Sequence, residues 1–356
     1  MSAPSDAINE LPIIDISPYM DRDGADDSAR LATSEALHDA CVNYGFFYLD
    51  ISKFINSEES EELARLAREF FALPQEVKDK ISIRNQDHAR GYQRLKENVT
   101  NGKADNHEAI DFYKSVERPD RTRPLWGENQ WPEVPEFRPR YTQWIEKMKM
   151  LGMLVMEAMA VGLGMTTEEW DDLRNQVDDS FWVMRIIGYP PLPNDHDGFS
   201  CGAHKDYGCL TLLYADPTRS ALQVFLRQSG DDASEADDLP SEQDTEQGTW
   251  INADPIPGCI VCNIGEMWEI WSNGLYKSTL HRVIHKSSNY RVSIPFFFEP
   301  NFAANVAPLS AALRIQGKDS VEGLTDGKAY SPVVYGDFLL SKVSENFATE
   351  GKGKYD

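Results

Sequence analysis

Basic residues are scarce in this chain, and the resulting charge excludes several classes of partner. The 356 residues include 35 lysines and arginines against 58 aspartates and glutamates, which gives a formal net charge of −23. Such a charge repels nucleic acid and anionic membrane surfaces unless a basic patch interrupts it, and the sequence contains no basic patch. We therefore expect no nucleic-acid partner and no membrane partner, and nothing in the sequence indicates an obligate protein partner.

Cysteines are few, and long apolar runs and internal repeats are absent. Five cysteines form too sparse a set for a disulfide framework, so a reducing compartment is favoured. No apolar run reaches the roughly 18 residues of a membrane span. The first 15 residues lack the basic and apolar regions of a secretory signal. The lack of repeats of about 20 to 50 residues argues against solenoids and propellers. These absences predict a globular cytoplasmic protein.

The first half of the sequence has a mostly helical pattern. One helix is predicted over residues 28–43, and a second begins at Ser57, with acidic residues in its first turn and apolar residues at helical spacing. A third, rich in methionine, is predicted over residues 138–162. Short strands are predicted at residues 11–16 and 46–51. This half therefore supplies helices rather than a continuous sheet.

The second half changes to short runs rich in β-branched and aromatic residues, bounded by glycine, proline, asparagine and aspartate. Seven such runs without intervening helices favour an antiparallel sandwich or barrel. They lie at residues 181–190, 209–215, 221–227, 249–254, 258–265, 278–285 and 290–299. The expected fold class is α+β with a mainly β core, a double-stranded β-helix (jelly roll) with a helical N-terminal region packed around it.

A histidine and an aspartate two residues apart form the first candidate metal site. On one strand, His204 and Asp206 would point to the same side and could bind the same ion. Two imidazoles and one carboxylate hold a mononuclear iron on one face and leave adjacent positions open. The third ligand is sought in HRVIH, where His281 and His285 would lie roughly 13 Å apart in an extended chain. Only one of these two histidines can therefore belong to the site.

Other interpretations compete with a metal site of this kind. A single His-x-Asp pair is also found at the polar edge of an ordinary strand. Cys259 and Cys262 resemble half of a zinc-binding motif, for which Cys201 and Cys209 would be the other half. Within a strand, however, the sulfur atoms of Cys259 and Cys262 would face opposite sides of the sheet. Structural zinc is therefore disfavoured.

Several motifs together resemble the isopenicillin N synthase-like group of Fe(II)/2-oxoglutarate-dependent dioxygenases. The motifs that carry the resemblance are HKD (204–206), SNGLYKSTLHRV (272–283) and RVS (291–293), supported by LPIIDIS, GFFYL, RIIGYPP and LQV. The resemblance extends over roughly 300 residues. His-x-Asp alone is a weak signal, but its combination with a distant histidine and Arg-x-Ser at this spacing is specific.

The resemblance implies roles for six residues. It selects His281 rather than His285, because His281 stands ten residues before Arg291. The implied iron ligands are His204, Asp206 and His281, and the implied contacts to the distal carboxylate of 2-oxoglutarate are Arg291, Ser293 and Tyr189. A buried guanidinium suits this carboxylate because it can donate two parallel charge-assisted hydrogen bonds.

The resemblance also implies how the chain is organised around the site. Residues 1–125 would form the N-terminal helical and strand region, residues 126–177 buttressing helices, and residues 178–300 the jelly-roll catalytic core. Within that core, residues 228–248 contain eight acidic and no basic residues, and we expect a disordered acidic loop. Residues 301–356 are expected to lie near the substrate pocket.

The implied reaction is the hydroxylation, desaturation or cyclisation of a small organic molecule, as in secondary metabolism. The substrate is oxidised by O2 at Fe(II) while 2-oxoglutarate is converted to succinate and CO2, and ascorbate can serve as a reductant. Two alternatives stay open at this point. The same iron scaffold serves oxidases without 2-oxoglutarate and an ethylene-forming type, which residues 296–309 resemble. A non-catalytic metal-binding jelly roll would keep the fold without turnover. The sequence does not identify the substrate, although residues 86–124 are expected to help form its pocket.

Overall fold

The computed structural model of the chain describes residues 10–21, 26–100, 102–227, 248–317 and 330–346. The predicted acidic loop lies outside the described residues, apart from its last residue, Gly248. Helices long and apolar enough to cross a membrane do not occur within the described ranges.

The described ranges contain sixteen strands and nine α-helices. The strands are β1 (Ile13–Asp15), β2 (Phe46–Asp50), β3 (Gly91–Gln93), β4 (Val99–Thr100), β5 (Lys103–Ala104), β6 (Glu108–Tyr113), β7 (Val183–Tyr189), β8 (Phe199–His204), β9 (Leu210–Ala215), β10 (Leu222–Arg227), β11 (Gly248–Asn252), β12 (Cys259–Ile264), β13 (His281–Ile284), β14 (Arg291–Phe298), β15 (Asn305–Val306) and β16 (Val333–Val334). The α-helices are α1 (Ser17–Met20), α2 (Asp27–Asn43), α3 (Ser57–Phe71), α4 (Gln75–Lys78), α5 (Phe137–Gly162), α6 (Thr167–Arg174), α7 (Glu266–Trp271), α8 (Ser310–Ile315) and α9 (Tyr335–Asn346).

Two sheets form the core of the molecule. The larger sheet has the strand order β1-β2-β12-β9-β14-β7-β6-β3, and the smaller one has the order β11-β10-β13-β8. From β7 to β14 the chain passes repeatedly between the two sheets, with antiparallel pairing inside each sheet. Eight strands wound in this way over two sheets form a double-sheet jelly roll. The predicted α+β fold with a mainly β core is confirmed.

The alternation of side chains along β14 separates the helical layer from the interior of the sandwich. Successive residues of a strand point to opposite faces of the sheet. Even-numbered residues enter the large apolar core beneath the helices, namely Val292, Ile294, Phe296 and Phe298. Odd-numbered residues line a cavity between the sheets, namely Arg291, Ser293, Pro295 and Phe297. One strand therefore builds both the core and the wall of the cavity.

The predicted helices cover the outer face of the larger sheet. Helix α3 begins where the Asn56 side chain accepts a hydrogen bond from the backbone N–H of Glu58, and its apolar stripe is buried. Helix α5 lies so close to β14 that a Cβ atom at Gly152 would clash with the Phe298 ring. Because only glycine permits this approach, α5 is held tightly against the strand that lines the cavity. The sequence-based predictions of α2, α3 and α5 are confirmed within one residue at their starts.

Two details of the predicted β region were wrong. Helix α7 lies between β12 and β13, so the strands are not free of intervening helices. Its sequence, EMWEIW, is short and buried on nearly all sides, so it shows no amphipathic period. Strand β8 was missed because its sequence, FSCGAH, contains no run of β-branched residues.

The cysteines behave as the sequence predicted. All five are free thiols, and none belongs to a group of potential metal ligands in the described part of the chain. On β12, Cys262 is buried in the core beneath the helices, whereas Cys259 packs against the core between the two sheets. Their opposite orientations leave no site for a shared zinc ion.

Candidate active site

Three side chains converge at one end of the cavity. His204, Asp206 and His281 each offer one ligand atom, and these atoms all lie within 4.8 Å of one another. The Oδ1 atom of Asp206 is 3.7 Å from Nε2 of each histidine, and the two imidazole centroids are 4.3 Å apart. They form the only such group of three or more among the described residues. Two imidazoles and one carboxylate in this arrangement match the donor set of a non-haem iron site.

The three residues come from three different parts of the fold. His204 is the last residue of β8 and stands opposite His281, the first residue of β13. Asp206 lies in the connection between β8 and β9, so the expectation that His204 and Asp206 share one strand is wrong. The Asp206 carbonyl accepts a 2.9 Å hydrogen bond from the N–H of Glu266 at the start of α7. The unpredicted helix therefore anchors the connection that carries the carboxylate.

Backbone carbonyl groups fix the orientation of both imidazoles. Nδ1 of His204 lies 2.8 Å from the Gly202 carbonyl, and Nδ1 of His281 lies 3.1 Å from the Thr279 carbonyl. Because a carbonyl oxygen only accepts, each Nδ1 carries a proton, which leaves Nε2 as the nitrogen that can bind a metal ion. This is the tautomer that metal-binding histidines require, with the non-ligating nitrogen hydrogen-bonded outside the metal shell.

The Asp206 carboxylate is oriented by two further donors. Its Oδ2 atom accepts hydrogen bonds from the Thr211 hydroxyl at 2.5 Å and from the Asn263 amide at 2.7 Å. Burial opposes ionisation, but the neighbouring His281 and His204 and these two donors hold the pKa of the Asp206 carboxyl below its usual value. Since Oδ2 is occupied, Oδ1 is left to face the two imidazoles.

We predict that Asn263→Ala lowers Fe(II) affinity about 10- to 100-fold, the range found when such outer hydrogen bonds are removed. The remaining bond from Thr211 should keep Asp206 partly oriented, so binding is weakened rather than lost. Titration of the metal-free protein with Fe(II) under anaerobic conditions measures the effect. Asn252→Ala on exposed β11 is the matched control and should leave the affinity unchanged. Wild-type affinity in Asn263→Ala would contradict this account of the carboxylate.

The second histidine of HRVIH and the lysine of HKD do not join the group. The Nε2 atom of His285 lies 2.9 Å from the Asn289 carbonyl, and its backbone N–H donates to the Gly198 carbonyl. Lys205 borders the cavity, with Nζ 3.8 Å from a carboxylate oxygen of Glu269.

The three predicted co-substrate contacts lie together on paired strands of the larger sheet. Arg291 stands directly opposite Tyr189, and its guanidinium carbon is 4.8 Å from the tyrosine ring centroid. Ser293 lies on the same face of β14, beside the Tyr189 side chain. Burial raises the pKa of Tyr189 to about 12, although Arg291 and Ser293 oppose the rise. In this cluster the uncharged side chains of Tyr189 and Ser293 therefore lie beside the buried guanidinium of Arg291.

Arg291 has donors that no described group of the protein uses. Its side chain is 2% exposed, and neither Nε nor Nη1 has a hydrogen-bond partner in the described part of the chain. A buried cation in this state is costly unless an anion pairs with it. The residues present therefore fit a carboxylate ligand such as 2-oxoglutarate, whose two oxygens match a guanidinium.

A cavity of about 280 Å³ extends from Arg291 past the three converging side chains. Its walls include residues that sequence reasoning missed. Asp111 and Arg185 form an ion pair on neighbouring strands, with Nε 3.0 Å from Oδ1. His107 is buried in the wall, and burial lowers its pKa to about 4. Charged residues inside otherwise apolar strands, as in VMRIIGY, were the signal that could have revealed Arg185.

Two further wall segments lie where the sequence predicted substrate contacts. Asn98 and Thr100 come from the excursion between residues 86 and 124. Tyr335, Leu339 and Val343 come from α9 in the C-terminal segment. Another missed residue, Glu299, follows β14 directly and continues its cavity-facing series. The cavity is therefore bounded by the sheets, by the β4–β5 hairpin and by the last helix.

Comparison with protein families gives two matches. Residues 11–134 match the N-terminal region of non-haem dioxygenases in morphine synthesis, and residues 179–300 match the 2OG-Fe(II) oxygenase superfamily. The chain is 40% identical over 351 residues to a homoarginine-6-hydroxylase of Arabidopsis thaliana, covering 95% of this chain and 98% of the relative. It is 38% identical over 349 residues to a homoarginine-6-hydroxylase of Oryza sativa, covering 95% and 97%.

Solved structures share the fold over nearly the whole chain. A Neurospora crassa protein in complex with α-ketoglutarate and thymine superposes with a TM-score of 0.72 at 25% identity, covering 93% of this chain and 96% of that one. JOX2 in complex with 2-oxoglutarate and iron has a TM-score of 0.68 at 23% identity, covering 97% and 87%. The chain belongs to the 2OG-Fe(II) oxygenase superfamily and is an oxidoreductase that uses Fe(II), 2-oxoglutarate and O2.

Proposed function

We propose that His204, Asp206 and His281 hold Fe(II), and that Arg291, Ser293 and Tyr189 hold the distal carboxylate of 2-oxoglutarate. The two Nε2 atoms that face Asp206, the oriented Asp206 oxygen and the unpartnered Arg291 donors support these roles. The bound metal and co-substrate supply the O2-dependent oxidation of a substrate C–H bond, with release of succinate and CO2.

In this proposal the protein contributes orientation and exclusion of water. Thr211 and Asn263 fix the carboxylate, and the backbone carbonyls fix the imidazoles. Residues 178–300 carry the metal and co-substrate groups, and residues 301–356 contribute α9 as one wall of the substrate space. A largely buried site of this kind limits side reactions of the oxidising chemistry.

For the substrate, we propose homoarginine, which would be hydroxylated in the cytoplasm. The observation that carries this proposal is the identity of 38% to 40% with four homoarginine-6-hydroxylases, each aligned over 95% of this chain. The five free thiols support the cytoplasmic location. Thymine is a weaker candidate because the Neurospora crassa protein solved with thymine is only 25% identical.

Homoarginine should stimulate succinate release by the purified Fe(II)-loaded enzyme, with one succinate formed per hydroxylated product. Thymine and neutral amino acids, tested in parallel, should leave succinate release near the level without substrate. Ethylene measured in the same vials separates hydroxylation from breakdown of 2-oxoglutarate itself. Stimulation by thymine and none by homoarginine would contradict the proposed substrate while leaving the oxygenase assignment intact.

A further inference from the structure

Glu299 is a buried carboxyl group in the cavity wall that forms no ion pair with any cation in the described ranges. The residue is 3% exposed. The backbone N–H of Cys209 donates a 2.7 Å hydrogen bond to Oε2, and the Tyr335 side chain lies beside the carboxyl group. The other two carboxyls in the described wall have evident partners, since Asp206 faces the imidazoles and Asp111 pairs with Arg185.

A carboxylate in such a position is costly to ionise without a cation. Burial raises the pKa of Glu299 to about 8, even though the backbone N–H of Cys209 and the neighbouring Tyr335 side chain oppose the rise. A cationic ligand that paired with the carboxylate would offset the free-energy cost of burying its charge, as happens in buried ion pairs. The charge of the cavity is therefore complementary to a positively charged group at this end.

The register of β14 locates Glu299 relative to the metal-binding group. Phe297 lies opposite Thr211 on β9, and the Thr211 hydroxyl donates a hydrogen bond to Asp206. The three candidate ligands therefore lie close to Phe297 along the length of β14. Glu299 lies two residues further along, roughly 7 Å at the usual rise of a strand. Arg291 lies six residues back, towards the other end of β14. Glu299 is thus close to the metal position, on the side opposite to the co-substrate clamp.

Close packing fixes the Glu299 carboxyl group in this place. A Cβ atom built on Gly208 would clash with Oε1 of Glu299, so the carboxyl group occupies the space that this glycine leaves. Gly208 belongs to the connection that carries Asp206, and its carbonyl accepts a hydrogen bond from Met267 in α7. The carboxyl group therefore borders the cavity at a defined position beside the metal-bearing connection.

From this geometry we propose that Glu299 determines specificity by binding the cationic end of the substrate, a guanidinium or ammonium group, next to the metal. The inference rests on the proposed function and adds the residue that selects a charged substrate. A guanidinium donates two N–H groups to a carboxylate in a two-pronged, charge-assisted pair. A ureido group of nearly the same shape has no charge and cannot form this pair. Binding of the cation at Glu299 would bring the adjacent carbon of the substrate towards the metal.

Glu299→Gln tests the inference because glutamine keeps the acceptor for Cys209 and removes the charge. We expect the KM for homoarginine to rise about tenfold to a hundredfold, the usual effect of losing one charge-assisted hydrogen bond. Preference for homoarginine over its neutral isostere homocitrulline should fall by a similar factor. Fe(II) and 2-oxoglutarate affinities, measured anaerobically on the same variant, should stay at wild-type values.

The matched control is Glu269→Gln, a second buried glutamate that pairs with Lys205 and does not line the cavity. It should affect both substrates equally, if at all. An unchanged KM for homoarginine in Glu299→Gln would overturn the inference. So would a loss of Fe(II) or 2-oxoglutarate affinity large enough to explain the change, since Glu299 would then only support the connection carrying Asp206.

The two proposals, homoarginine as the substrate and Glu299 as the cation-binding residue, can be refuted independently of each other. Wild-type enzyme is also assayed with arginine, lysine and agmatine, each beside a neutral analogue. Turnover of one of these cations but not of homoarginine would refute the proposed substrate and support Glu299 as a cation site. Preference for the neutral analogues throughout would refute the role of Glu299.

Discussion

Asp206→Ala is expected to reduce turnover to the level of the metal-free protein. The substitution removes the only carboxylate of the three-residue group, and the alanine leaves two imidazoles whose Nε2 atoms then lack an anionic partner. Metal affinity should fall well beyond the effect of Asn263→Ala, because a direct ligand is lost rather than a group that orients one. Succinate release and bound iron, measured on the same preparation, give the result.

The fold should survive this substitution. Asp206 is a charged residue in a connection, and its removal leaves Thr211 and Asn263 without one acceptor but creates no large apolar void. Asp197→Ala, which changes an exposed aspartate before β8, is the control and should keep full activity. Wild-type turnover in Asp206→Ala would refute the metal assignment.

Arg291→Gln is expected to weaken 2-oxoglutarate binding severely while leaving Fe(II) binding intact. Truncating one partner of a buried, hydrogen-bonded charge pair costs roughly 2–5 kcal/mol, which corresponds to about 30-fold to 5,000-fold in Kd. Arg291→Lys should be nearly as damaging, because lysine cannot donate the two parallel bonds of a guanidinium. The KM for 2-oxoglutarate, from succinate release at saturating substrate, measures the loss.

Arg282→Gln provides a matched control for this experiment. Arg282 lies on β13, where its guanidinium stacks on Trp250 at 3.9 Å and bonds to Gln223. It does not line the cavity within the described part of the chain. Its loss should leave the KM for 2-oxoglutarate unchanged. An equal effect of both substitutions would show that Arg291 acts through general stability rather than through the co-substrate.

Much of the architecture was predictable because its causes are local. Helical sequence patterns identified α2, α3 and α5, with apolar periodicity in α3, and short β-branched runs identified most strands of the jelly roll. The candidate ligands followed from the spacing of His204, Asp206 and His281 together with the distant RVS motif. The choice of His281 over His285 came from the family resemblance, and the structure brings His281 alone into the group.

The remaining features depend on contacts between distant parts of the chain. Asn263, 57 residues away, helps to determine which carboxylate oxygen of Asp206 faces the two histidines. The environment of Glu299 is set by Cys209, 90 residues away, and by the room left at Gly208. The sequence did not predict helix α7, because this helix is buried on nearly all sides and so shows no periodic apolar pattern. Such features appear only when the sheets are assembled.

An anaerobic titration of the wild-type protein with Fe(II) and 2-oxoglutarate tests the central claim most directly. The account predicts a weak visible charge-transfer band that develops only when both are present and saturates at one equivalent of each per chain. Asp206→Ala should show no band, and Arg291→Gln should require far more 2-oxoglutarate to develop it. Tight Fe(II) binding by the wild-type protein without any band on addition of 2-oxoglutarate would contradict the account.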